Sequence, residues 1–123
     1  MEGDLSDPDS YGVIPRSAES IFEVLNRPEY VAHNVVVSYL EIYNEELCDL
    51  LSGDEFSHRS SKKLCKLEIM EGKDGVICCG LTELQVKSPA DVLEVMKKAQ
   101  QFRKIGETKM NKQSSRSHCV FTL

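Results

Sequence analysis

The chain lacks any tract of lysine or arginine. Across its 123 residues, 15 basic against 20 acidic side chains leave a formal charge of −5. Such a balance is ill suited to wrapping nucleic acid, whose phosphates call for clustered cations. Long apolar runs are missing as well. Stretches such as Val35–Val37 fall far short of the roughly 20 apolar residues that span a bilayer. The opening Met1-Glu2-Gly3-Asp4 has neither the basic nor the apolar region of a secretory signal. The expectation is no nucleic-acid partner and no membrane partner.

Signatures of disulfides and zinc are also wanting. The five cysteines are Cys48, Cys65, Cys78, Cys79 and Cys119. Their number is odd, and the adjacent Cys78-Cys79 is a poor disulfide unit. No C-x-x-C occurs, and His33, His58 and His118 are scattered, so the ligand spacing of a zinc site is lacking. None of Asn26, Asn34, Asn44 and Asn111 starts an N-x-[ST] acceptor. This usage predicts free thiols in a reducing, cytoplasmic setting.

Several catalytic motifs can be struck out. There is no G-x-G-x-x-G, H-E-x-x-H or G-x-S-x-G. Gly75 and Gly80 have the glycine spacing of a phosphate loop, but Leu81 stands where its lysine belongs. Ser114, Ser115 and Ser117 lie near His118, yet adjacency in sequence is not triad geometry. A small hydrolase would turn over esters and lose that activity in Ser115→Ala.

What is present suits one small domain. Hydrophobic residues make up 41%, enough for a core and too many for a disordered chain. Residues 1–15 read as a loop rich in Asp, Ser, Pro and Gly. Apolar residues at 18, 21, 22 and 25 predict a helix over 16–27, ended by Pro28. Consecutive valines predict a strand over 33–43, buried on both faces. Asn44 to Leu51 reads as a helical turn capped by Asn44. Alternation over 64–86, with the turn Glu71-Gly72-Lys73-Asp74-Gly75, predicts a β-hairpin bent near Gly80. Over 88–105 the signals for a helix are strongest. Ser88 can cap it, Pro89 fits the first position, and Asp91 stands at capping-box distance. Val92, Val95, Met96, Ala99 and Phe102 form its apolar stripe. Lys97, Lys98, Arg103 and Lys104 suit the negative end of its dipole, and Gly106 is a natural stop. A polar loop over 107–118 leads to a final strand over 119–123.

Within that loop, Asn111-Lys112-Gln113-Ser114-Ser115-Arg116-Ser117-His118 gathers hydroxyls, a guanidinium and an imidazole. Groups of this kind can hold phosphate oxygens or a phosphate-bound Mg²⁺. Composition alone favours a plainer reading, a polar loop rich in caps and turns.

The same eight residues resemble the switch I signature of the kinesin motor domain, Asn-x-x-Ser-Ser-Arg-Ser-His in form. Three further stretches resemble that family in order and spacing. They are Leu40-Glu41-Ile42-Tyr43-Asn44-Glu45-Glu46-Leu47-Cys48-Asp49-Leu50-Leu51, Gly12-Val13-Ile14-Pro15-Arg16, and Gly80-Leu81-Thr82-Glu83. Met1-Glu2-Gly3 resembles the residues that follow the family's phosphate loop. The Leu-Glu-Ile-Tyr-Asn-Glu-Glu-Leu form leans toward the mitotic, bipolar kinesin-five-like group.

The resemblance implies an incomplete kinesin motor (P-loop NTPase-like) α/β fold, a mixed sheet with flanking helices. It implies an ATP-driven microtubule motor, with ATP and Mg²⁺ used by the complete protein. Asn111, Ser114 and Ser115 take nucleotide-binding roles, and one of the two serines engages Mg²⁺. Ser114, Ser115 and Arg116 take catalytic roles, Arg116 through a salt bridge to switch II. Lys73, on the hairpin turn, becomes a contact for acidic tubulin, although an ordinary solvated lysine fits that position equally. His118 is expected to pack or hydrogen-bond at the strand start, and Cys78 and Cys79 to serve as packing residues. The localisation implied is cytoplasmic, on microtubules and the mitotic spindle.

The family's phosphate loop and its switch II segment, Asp-Leu-Ala-Gly-Ser-Glu in form, do not occur in these 123 residues. One switch without them is expected neither to bind ATP tightly nor to hydrolyse it. The final strand would also lack an inner neighbour, and an open edge invites self-association. The alternative function is a non-catalytic kinesin-like module that binds tubulin or a motor partner.

Overall fold

A computed structural model describes residues 1–52, 67–110 and 116–123. The N-terminal segment folds back on itself. The Asp4 amide donates to the Ser10 carbonyl at 2.9 Å, and the Gly12 amide to the Glu2 carbonyl at 2.9 Å. A 3₁₀ turn over Pro8–Ser10 and a bridge between Gly3 and Tyr11 close the loop. Gly3 takes φ +70°, and a side chain there would overlap the backbone of Ser10. This tight return drops Leu5 into the core and fixes Glu2 beneath the sheet.

Helix α1 spans Val13–Leu25, three residues earlier than the start read from periodicity. Pro15 falls in the first turn, where its missing N–H costs nothing. Gly12 is the N-cap residue. Ala18 and Phe22 are buried and set the face that packs inward. The other long helix, α2, spans Pro89–Met110. Its start follows local chemistry, with the Asp91 amide donating to Ser88 Oγ at 3.3 Å. The Asp91 carboxylate accepts from the Lys87 amide at 3.0 Å, one residue beyond the capping-box target. The helix then continues through position 106, because a single interior glycine costs only about 1 kcal/mol against alanine.

Strand β1, Val35–Tyr43, is the centre of the main sheet. Strand β2, Glu46–Asp49, pairs with it antiparallel from Tyr43↔Glu46 to Leu40↔Asp49. Strand β5, Leu84–Val86, pairs antiparallel with its start, Val35↔Val86 to Val37↔Leu84. Strand β6, Ser117–Thr122, pairs antiparallel from Ser38↔Thr122 to Tyr43↔Ser117. A separate hairpin joins β3, Glu68–Gly72, to β4, Gly75–Cys79. All strand pairings among the described residues are antiparallel.

The added length of α2 makes positions 107–110 helical where a loop was expected, and three further local expectations differ from this arrangement. Asn44 to Leu51 contains no helix. Asn44 and Glu45 both take positive φ, 49° and 63°, and turn the chain directly into β2. Two left-handed residues between paired strands are the signature of a type I′ hairpin. The region 64–86 is not one hairpin either. The chain breaks at Gly80, φ +82°, and β5 leaves to join the main sheet. Of the part before it, positions 64–66 lie outside the described residues. The final strand starts at Ser117, two residues before the position read from sequence.

The core lies on one face of the main sheet. Val37 and Tyr39 point there from β1 and meet Phe22 of α1 and Val92, Met96 and Ala99 of α2. Tyr39 and Phe121 meet edge to face, ring centroids 5.3 Å apart at 84°. Both helices therefore cover the side that carries the odd-numbered residues of β1.

Candidate functional site

Strand β6 alternates in burial, with Ser117, Cys119 and Phe121 half-buried and His118, Val120 and Thr122 exposed. Its inward residues face the odd positions of β1, in the register Tyr39↔Phe121, Glu41↔Cys119 and Tyr43↔Ser117. Arg116, exposed, immediately precedes Ser117. Asn111, Ser114 and Ser115 lie outside the described residues. His118 sits in the strand facing solvent, so it is not packed at the strand start. Lys73 is exposed with Asp74 in the two-residue turn between β3 and β4. Cys78 and Cys79 are half-buried on β4.

Inward from β6 lies a polar cluster that sequence reading passed over. Glu41 is buried and faces the Arg103 guanidinium, Oε2 to Nε 3.7 Å. The same guanidinium donates from Nη2 to the Ser117 hydroxyl at 2.6 Å. One helical turn earlier on α2, Gln100 donates its amide to Glu2 Oε2 at 2.6 Å. The other Glu2 oxygen accepts from the Tyr39 hydroxyl. Burial, aided by the Glu2 carboxylate, pushes the Tyr39 phenol well above its ordinary range. Burial also raises the Cys119 thiol, against the pull of the Arg103 guanidinium. A signal for Arg103 did exist. Val92, Met96 and Ala99 are the buried stripe of α2, and position 103 continues it at helical spacing.

A second carboxylate ties the sheet together. Asp49, at the end of β2, accepts from the Leu51 amide at 2.9 Å and from the Thr82 amide at 2.7 Å. It thus joins the two segments that pair along successive stretches of β1.

A cation site is not formed by the described side chains. No group of three or more His, Cys, Asp or Glu residues is gathered among them. The hydroxyls that the resemblance assigns to Mg²⁺, Ser114 and Ser115, lie outside the described residues.

The antiparallel β1–β6 pair and two helices on one face of the sheet define an α/β domain of kinesin type. The kinesin motor domain family model matches residues 1–123. The chain is 41% identical over 117 residues to kinesin-like protein KIN-5A of Arabidopsis thaliana, covering 94% of this chain and 11% of the relative. It is 44% identical over 114 residues to chromosome-associated kinesin KIF4 of Xenopus laevis, covering 91% and 9%. A solved structure of a fast kinesin, described with implications for ATPase mechanism and interactions with microtubules, superposes with a TM-score of 0.82 at 40% identity. It covers 98% of this chain and 32% of that one. The chain belongs to the kinesin motor domain family. It spans about a tenth of the length of these two relatives. The resemblance read from the four sequence landmarks and the α/β kinesin fold are both borne out.

Proposed function

We propose that residues 1–123 are the part of an ATP-driven microtubule motor that carries switch I, and that this part alone does not turn over ATP. The observation that carries the reading is the family match across the whole chain together with the segment Asn111 to His118. In the complete motor, Asn111, Ser114 and Ser115 hold the nucleotide, and one of the two serines engages Mg²⁺. Mg²⁺, when bound, neutralises charge on the phosphates. Arg116 is exposed at the mouth of β6, free in direction to meet an acidic partner on switch II. Lys73, exposed on its turn, offers a charge to acidic tubulin.

Phosphoryl transfer relies on several positioned parts acting together. A glycine-rich loop with its lysine and a switch II segment are absent from this sequence. The outer edge of β6 has no partner among the described residues, and an unpaired edge is a template for another strand. The isolated chain is therefore proposed to self-associate there, while the motor acts in the cytoplasm on microtubules and the spindle.

The test is ATP turnover with and without microtubules, by this chain and by a complete motor domain bearing it. The expected result is turnover by the complete motor alone. Stimulated hydrolysis by the 123-residue chain would contradict the reading.

A further inference from the structure

The polar cluster beneath β6 is built from two parallel pairs. Tyr39 and Glu41 stand two apart on β1, so both project to the helix side. Gln100 and Arg103 stand three apart on α2, one turn from each other on one helix face. The first of each pair grips Glu2, at the N-terminal return. The second of each pair meets at Ser117, through Arg103 held against Glu41. The cluster thus spans from residue 2 to the first residue of β6.

Stability alone gives a poor account of the Glu41–Arg103 part. The Glu41 side chain is only 5% exposed and that of Arg103 25%. Removing two charges from water costs about as much as their attraction returns, so such pairs add little net stability. A guanidinium does supply geometry. It is planar and forked, and can face a carboxylate and a hydroxyl at once in fixed directions. Here the hydroxyl belongs to Ser117, and Arg116 is the next residue back along the chain. Ser117 is a terminal rung of the β1–β6 ladder, so backbone pairing continues on one side of it only.

We infer that Arg103, oriented by Glu41, is a positioning residue for switch I. Its bond to Ser117 fixes the C-terminal anchor of the switch and with it the direction in which Arg116 leaves the sheet. The inference rests on reading residues 111–118 as the switch. It predicts an effect on the chemical step more than on nucleotide affinity, since a displacement of about 1 Å in a catalytic array can cost about a hundredfold in rate.

The test uses Arg103→Ala, Arg103→Lys, Ser117→Ala and the Arg103→Ala/Ser117→Ala double variant in a complete motor domain bearing this segment. Arg103→Ala is expected to lower kcat by about tenfold to a hundredfold, with KM for ATP changed far less. Arg103→Lys keeps the charge against Glu41 but loses the fork, and should fall between Ala and the parent. The double variant should be no slower than Arg103→Ala alone, because residues acting as one unit are not additive. Hydrogen exchange on the same complete motor domain gives a second readout. Arg103→Ala should release amides 117–119 while those paired in β1 and β2 keep their protection. Multiplicative kinetic losses, a rise in KM equal to the fall in kcat, or uniform loss of protection would overturn the proposal. If Arg103→Ala does not fold, Ser117→Ala and Arg103→Lys decide it by the same criteria. Arg116→Ala separates the two claims. Should it abolish turnover while the Arg103 and Ser117 variants match the parent, the switch reading stands and the positioning role fails. Should it leave turnover intact, the switch reading fails and the positioning role with it.

Discussion

At Asp49 one carboxylate holds two stretches of chain that the strand ladder alone leaves untied. It is buried and accepts from Leu51 and Thr82, and bonds to an ionised acceptor are worth about 1.5–3 kcal/mol each. Asp49→Ala removes both and leaves two donors unmet. The expected loss is about 2–4 kcal/mol in urea denaturation, with Asp49→Asn losing less because it keeps one acceptor. Tyr39 gives a pH signature. Its folded value lies above the ordinary 10.0, so its contribution is full below pH 10 and is lost as pH rises beyond it. Tyr39→Phe should flatten the alkaline loss of stability, followed by thermal melts from pH 8 to 12. An unchanged alkaline slope would show that the buried phenol is not the group responsible.

Among the elements, legibility followed how local the determinants are. Helix α2 could be read because Ser88, Pro89 and the stripe Val92–Met96–Ala99 all act within a turn or two of each other. Strand β1 could be read because three consecutive valines fit few other environments. The Asn44-Glu45 turn could not. Asn, Glu and Leu in that order favour a capped helix, and the usual Asn-Gly sign of a type I′ turn is missing. Pairing of β2 with β1 overrides the local preference and forces Glu45 to φ 63°. That geometry costs an L-residue about 1–2 kcal/mol. Glu45→Gly should therefore stabilise the chain by about 0.5–1 kcal/mol, less than the full strain because glycine loses more entropy on folding. Ser88→Ala should destabilise it by about 1 kcal/mol through loss of the cap. Both are read from thermal or urea unfolding. The departure of β5 from the hairpin was hidden for the same reason as the β2 turn. Gly80 marks a bend, but only the vacant edge along Val35–Val37 decides where the chain goes next.

On the scale of the molecule, the chain presents a helix-covered sheet with β6 at one edge and a projecting hairpin carrying Lys73. The family could be read because four short stretches keep their order along nearly the whole chain, which no single motif provides. The Arg103–Ser117–Glu41 contact was beyond such reading, since it joins three elements whose meeting depends on the completed sheet. In a complete motor, Lys73→Ala should raise the microtubule concentration for half-maximal activation by about 1.5- to 5-fold. That range corresponds to an exposed ion pair worth about 0.2–1 kcal/mol, and added salt should narrow the difference. Arg116 carries the assignment of residues 111–118 as the switch. Microtubule-stimulated ATP turnover of a complete motor domain bearing residues 1–123 should be abolished by Arg116→Ala with microtubule binding retained. Turnover equal to the parent in that variant would contradict the assignment of residues 111–118 as the switch.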